Sequence, residues 1–203
     1  MKAIPVRTAA ALAMLLALGA CGGKASFELS GTIVDAFREP KPLANEGLVL
    51  ANGDQRLIVP LGATTFKFPQ SISYGDTYAI TVSQQPRHMS CSFVSGSVGT
   101  AGRTATISAA LICNQNAYPI GGKVQGLGSG TLELVNGTDK VSVTNANNAA
   151  SVDFTMPSNV PDGTVYGVTV LTQPTGQKCT VANGTDVMGE AGRSNIIVTC
   201  TNI

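Results

Sequence analysis

The 203-residue chain has no tryptophan, one histidine and few aromatic or charged residues, 5% and 12% respectively. Each shortage closes off a class of function. Lys+Arg number 13 against 12 Asp+Glu, so no basic surplus is available to neutralise a phosphate backbone, and no nucleic-acid partner is expected. With His88 as the lone histidine, any Ser-His-Asp machinery or multi-histidine metal site would depend on that residue alone. The 23 glycines are scattered at turn-like places instead of gathered ahead of a helix, which excludes a Walker or dinucleotide phosphate loop. No stretch after residue 26 carries a capped 3.6-residue period. What remains is 43% apolar, enough hydrophobic surface to offset the entropy of ordering. The chain is expected to fold, and to fold as β.

Residues 1–20, MKAIPVRTAA ALAMLLALGA, place Lys2 and Arg7 ahead of an apolar run from Ala9 to Ala20. The run is shorter than the ~20 residues that span a bilayer and reads as an export signal, absent from the mature protein. It ends in Leu18-Gly19-Ala20-Cys21, which resembles the lipobox of bacterial lipoproteins. The resemblance implies cleavage before Cys21, a diacylglycerol on its thiol and a further acyl chain such as palmitate on the new amino terminus. This covalent lipid on Cys21 is the membrane partner expected, and no cofactor or metal is. Gly22 in place of Asp implies, by the family's sorting rule in Gram-negative cells, the outer membrane, on its periplasmic face or at the cell surface. A plain secretory signal with a free Cys21 is the competing reading. Loss of the signal removes two basic and no acidic residues, so a formal +1 becomes −1 and electrostatics is not the anchor. The lipidated tether is 21–26, and its five residues after Cys21 reach at most about 17 Å.

The remainder is one module written twice. TYAITVSQQPRHMSCSFVSG at 77–96 and VYGVTVLTQPTGQKCTVANG at 165–184 match at a constant offset of 88: Tyr78 with Tyr166, Gln85-Pro86 with Gln173-Pro174, Cys91 with Cys179, Gly96 with Gly184. Flanking matches pair Gly31 with Gly121, Asn52-Gly53 with Asn136-Gly137, and Ala101-Gly102-Arg103 with Ala191-Gly192-Arg193. Two domains follow, 27–114 and 117–203, joined by Asn114-Gln115-Asn116. A connection so short predicts a fairly fixed relation between them.

Within each copy, alternating Leu132–Val135 and Val141–Val143 flank an Asn-Gly turn signal and predict a hairpin. Tyr78–Val82 and Tyr166–Val170 are β-branched and aromatic, and each is closed by a Pro four residues on. Ile196–Cys200 predicts a final strand in the middle of a sheet. Six or seven strands in under 90 residues suit two tandem immunoglobulin-like β-sandwich domains, with a small barrel as the alternative. The antibody hallmarks are absent, since there is no Trp and the cysteines of each copy lie close together near its carboxyl end. With Cys21 assigned to lipid, the economical pairing is Cys91–Cys113 and Cys179–Cys200, one disulfide per domain in an oxidising compartment. Zinc is the rival use, disfavoured because no CxxC pair occurs and the four thiols sit in separate modules.

Candidates for chemistry are sparse. His88 reads as a solvated loop residue, and no Gly-x-Ser-x-Gly elbow accompanies it. Asp54, Asp139 and Asp186 beside glycines read as Asx-turn formers instead of calcium ligands. Glu133, Asp153 and Asp162 form no recognisable catalytic pair. Asn136-Gly137-Thr138 and Asn183-Gly184-Thr185 match glycosylation sequons, which carry little weight beside a bacterial lipobox. The phrase at 166–184, Tyr-x-Val-Thr-Val-x-x-Gln-Pro-x-Gly-Gln-x-Cys-x-Val-x-Asn-Gly, resembles a module found in tandem in Gram-negative surface lipoproteins and secreted proteins, and departs at Arg87-His88-Met89-Ser90 in the first copy. It implies a surface location and no catalytic residues. The expected role is a non-enzymatic structural or adhesion-like module with an unidentified protein or glycan partner. A ligand-binding module for carbohydrate or peptide is the alternative, which a concave patch uniting Tyr74, Tyr78 and Tyr118 would favour.

Overall fold

The structure is a computed structural model that describes residues 25–104 and 106–203; the export signal, Cys21 and the tether through Lys24 lie outside them. Among the described residues the regular elements are all strands. The first copy contains β1 (Ser26–Phe27), β2 (Leu29–Val34), β3 (Val49–Asn52), β4 (Gln55–Ile58), β5 (Thr65–Lys67), β6 (Ile72–Ser73), β7 (Thr77–Gln84), β8 (Met89–Ser95), β9 (Val98–Thr100) and β10 (Ile107–Gln115). The second contains β11 (Ala117–Tyr118), β12 (Ile120–Gln125), β13 (Thr131–Asn136), β14 (Asp139–Thr144), β15 (Ser151–Thr155), β16 (Val160–Pro161), β17 (Val165–Thr172), β18 (Gln177–Ala182), β19 (Thr185–Val187) and β20 (Arg193–Asn202).

Each strand of the first copy has its counterpart ten places later. Sheet order β5-β2-β10-β8 becomes β15-β12-β20-β18, β4-β3-β7-β9 becomes β14-β13-β17-β19, and the pair β1-β6 becomes β11-β16. Two immunoglobulin-like sandwiches in tandem result. Each has ten strands where the sequence pattern predicted six or seven, because the two-residue pairs and the three-residue edge strands β5, β9 and β19 are too short to show a period. One ladder in each copy is parallel, β2 with β10 and β12 with β20.

Inward-facing residues alternate as a half-buried strand requires. Leu29 and Ile33 on β2 and Ile107, Ala109, Leu111 and Cys113 on β10 fill the first core; Ile120, Val124, Ile196, Val198 and Cys200 fill the second. The disulfides lie inside these cores, where Cys91 stands directly opposite Cys113 on β8 and β10, and Cys179 opposite Cys200 on β18 and β20. Each joins an edge strand to its central neighbour within one sheet.

Two sequence matches shift in the structure, and the Asn-Gly match holds. The N–H of Phe68 donates to Leu29 and that of Met156 to Ile120, so the counterpart of Gly31 is Gly122, not Gly121. Both lie opposite a phenylalanine of the outer strand, Phe66 and Phe154, and a β-carbon at Gly122 would sit 1.8 Å from the Ile196 carbonyl oxygen. Gly75 and Gly163 donate to Ala101 and Met188, so Met188 fills the place of Ala101 and the Ala-Gly-Arg match is coincidental in space. In the hairpins, Asn52 pairs with Gln55 and Asn136 with Asp139, which leaves Gly53-Asp54 and Gly137-Thr138 as the two-residue turns. Only the glycines take positive φ, 56° and 60°, the pattern of a Gly-x hairpin turn. The asparagine amide oxygens instead accept the N–H of Ala79 and of Gly167 on the next strand.

Candidate functional site

The repeated Gln-Pro explains how the loop after β7 and β17 is held. Gln85 accepts the N–H of Cys91 at 2.6 Å through its amide oxygen and donates its amide to the Cys91 carbonyl at 3.1 Å. Gln173 does the same with Cys179, at 2.7 and 3.1 Å. The glutamine side chain thus stands in for one residue of a neighbouring strand along edge strands β8 and β18. This clamp presents residues 86–89 at the end of the first module, against the start of the second.

The two modules meet there. β10 runs to Gln115 and β11 begins at Ala117, so the connection is Asn116 alone, shorter than the three residues expected from sequence. Asn116 donates its N–H to the His88 carbonyl and accepts the N–H of Asp162, both at 2.9 Å. Its side-chain oxygen accepts Ser90 Oγ at 2.8 Å. Gln115 donates Nε2 to the Asp162 carbonyl at 2.9 Å and accepts the Asn45 amide at 3.2 Å. His88 Nδ1 lies 3.1 Å from Asp162 Oδ1. The Asp162 side chain is only 1% exposed, and among the described residues neither carboxylate oxygen accepts a hydrogen bond. Beside the joint opens a cleft of about 870 Å³ walled by Ile58, Leu61, Arg87 and His88 from the first module and Tyr118 and Glu190 from the second. Arg87 pairs with Glu46 across 3.2 Å at its rim.

His88 is an exposed turn residue, its side chain 43% accessible, as the sequence predicts, and it also reaches across to the second module, where Asp162 is its partner. The two side chains are close without the hydrogen bond of a His-Asp dyad, among the described residues no serine or threonine hydroxyl bonds His88, and Ser90 is committed to Asn116. The signal for this pairing was present in the repeat: at the offset of 88, His88 falls on Gly176 and Asp162 on Tyr74. Neither substitution announces a contact without the fold.

The other sequence candidates stay apart. Glu133 accepts Thr172 Oγ1, and Asp153 pairs with Lys123 at 2.7 Å. Asp139, the first residue of β14, accepts the N–H and hydroxyl of Ser158 instead of forming its own turn, and among the described residues the Asp186 carboxylate accepts the N–H of Val187 alone. The Asx turn is made by Asp35, which accepts from Phe37 and Glu39. Asn183 donates to the Asn195 carbonyl. Tyr118 lines the joint, while Tyr74 covers Gly102 and Tyr78 covers Gly99, so the three tyrosines form no common patch. Tyr166 is buried, and among the described residues its hydroxyl has no hydrogen-bond partner. Burial first, and the Asp186 carboxylate second, push its pKa above the ordinary phenol value, against the opposing pull of Arg193.

No protein-family model matches this sequence, and comparison with curated proteins finds no match. Among solved structures the chain is similar to the Bacillus anthracis TIE protein, at 14% identity and TM-score 0.49, over 88% of this chain and 34% of that one. It spans about a third of that protein's length. It is also similar to a C-terminal fragment of the pilus adhesin SpaC from Lactobacillus rhamnosus GG, at 10% identity and TM-score 0.41, over 87% of this chain and 97% of that one. A third is a single B repeat unit of the collagen-binding surface protein of Staphylococcus aureus, at 14% identity and TM-score 0.25, over 88% and 99%. At such values the assignment of fold rests on this chain's own strand order.

Proposed function

We propose that the chain is a lipid-anchored envelope protein, held to a Gram-negative outer membrane through Cys21, whose two β-sandwiches act as a non-enzymatic structural or adhesion-like module toward a protein or glycan partner. The observation that carries the reading is the lipobox Leu18-Gly19-Ala20-Cys21 placed five residues before the first strand at Ser26. Several acyl chains at one residue give slow release, at ~0.8 kcal/mol for each buried CH₂. The single-residue connection at Asn116, bonded on both sides, supports a stalk with a defined geometry instead of two beads on a string. Protease shaving of intact cells tests display at the surface: cleavage within the modules is the expected result, and complete protection until the envelope is breached would contradict it.

The second reading, a binding module for carbohydrate or peptide, is favoured by the cleft at the joint. Its walls mix apolar side chains with Glu46, Arg87, Asn116 and Glu190, the composition of a polar-ligand groove. A glycan array probed with the folded pair separates the two readings, and binding lost on Tyr118→Ala would establish the second.

A further inference from the structure

The residues that meet at the joint occupy positions where the other copy carries something different. Loop-tip residues His88 and Gly176 both have positive φ, 59° and 72°. Glycine takes that left-handed conformation freely, whereas a residue with a β-carbon does so at a cost. The first copy accepts the cost and gains an imidazole at the tip; in the second copy the tip is open, with nothing within 4 Å of a β-carbon built on Gly176.

The receiving side shows the same asymmetry. Tyr74 and Asp162 each precede a glycine of positive φ, Gly75 at 88° and Gly163 at 80°. Each donates its N–H to the carbonyl at the start of its module, Ala25 and Asn116. Tyr74 is 61% exposed, but Asp162 is enclosed. An enclosed carboxylate is costly unless a donor or an opposite charge stands near it, and the nitrogen that approaches this one, His88 Nδ1 at 3.1 Å, comes from the other module. The glycine beside it is shaped for the approach. A β-carbon on Gly163 would lie 3.1 Å from Nε2 and Cδ2 of the His88 ring, whereas one on Gly75 would meet nothing. Three departures from the repeat, at His88, Asp162 and the space above Gly163, converge on one contact.

We propose that His88 and Asp162 form an orientation lock, a contact that holds the second module at one angle to the first and sets the direction in which the distal module is presented. The backbone bonds through Asn116 hold the modules together; the lock selects the rotation about them. His88 is here a positioning residue, and the inference stands whether or not the chain is lipidated.

The test is a distance distribution between bioorthogonal spin labels at Asp54 and Thr138, exposed turn residues at equivalent places in the two modules. The full chain with both disulfides intact is expected to give one narrow distribution. His88→Gly, the residue found in the second copy, is expected to broaden it about twofold or more as further orientations become populated. Asp162→Asn, which keeps the shape and removes the charge, is expected to broaden it as well and keeps the test alive should the first variant fold poorly. Thermal unfolding of the two modules checks that the sandwiches themselves are unchanged. A distribution as narrow in both variants as in the parent would overturn the lock.

Discussion

Single side chains here do the work of missing backbone. Gln85 and Gln173 each complete two hydrogen bonds of an edge strand, so Gln173→Ala leaves a donor and an acceptor of Cys179 without partners. A loss of about 1–3 kcal/mol is expected, read as a lower unfolding midpoint, whereas Gln84→Ala on the exposed side of β7 should be milder. Tyr166 offers a pH test. Its folded-state pKa is raised above the unfolded one, so its contribution to stability is complete below the unfolded value and is lost as pH climbs through the folded one, because the unfolded chain releases the proton first. Melting curves between roughly pH 8 and 11 should show alkaline destabilisation that Tyr166→Phe reduces. At neutral pH that variant should cost little, since no protein hydrogen bond is removed. The Gln-Pro phrase could be seen as a repeat in the sequence, but its reason could not, because the partner of Gln85 is a backbone group whose position depends on β8.

At the scale of elements, strands with alternating runs were legible: β7, β13, β14, β17 and β20 follow from β-branched periodicity and turn residues. The two-residue strands and β9 or β19 were not, since their pairing is decided by what lies opposite and not by their own pattern. The same limit explains the asparagines before the hairpin glycines, where local chemistry marks a turn and the tertiary context uses the side chain on a third strand. The disulfides sit where the edge strand would otherwise be free to peel. Closing loops of 22 and 21 residues should contribute about 3 kcal/mol each. For modules of this size, reduction should therefore lower the unfolding midpoint by roughly 10–25 °C. A calorimetric scan with and without reductant checks this, and a shift of only a degree or two would assign the stability to packing alone.

For the molecule as a whole, duplication gave two sandwiches of identical strand order, and divergence at a few positions turned two equal modules into an ordered pair. The internal repeat disclosed the first fact. The second, the joint of His88, Asn116 and Asp162, was hidden because the stretch Gln85-Pro86-Arg87-His88 has the composition of any solvated loop. The proposed link between the pair and its cellular setting is Cys21 and the sequence before it. Metabolic labelling of growing cells with an alkyne fatty acid, followed by capture of this chain, addresses that claim directly. Label is expected on the parent and none on Cys21→Ser, with the parent in the membrane fraction; equal labelling of the two, or a parent that fractionates free of membrane, would contradict lipidation at Cys21.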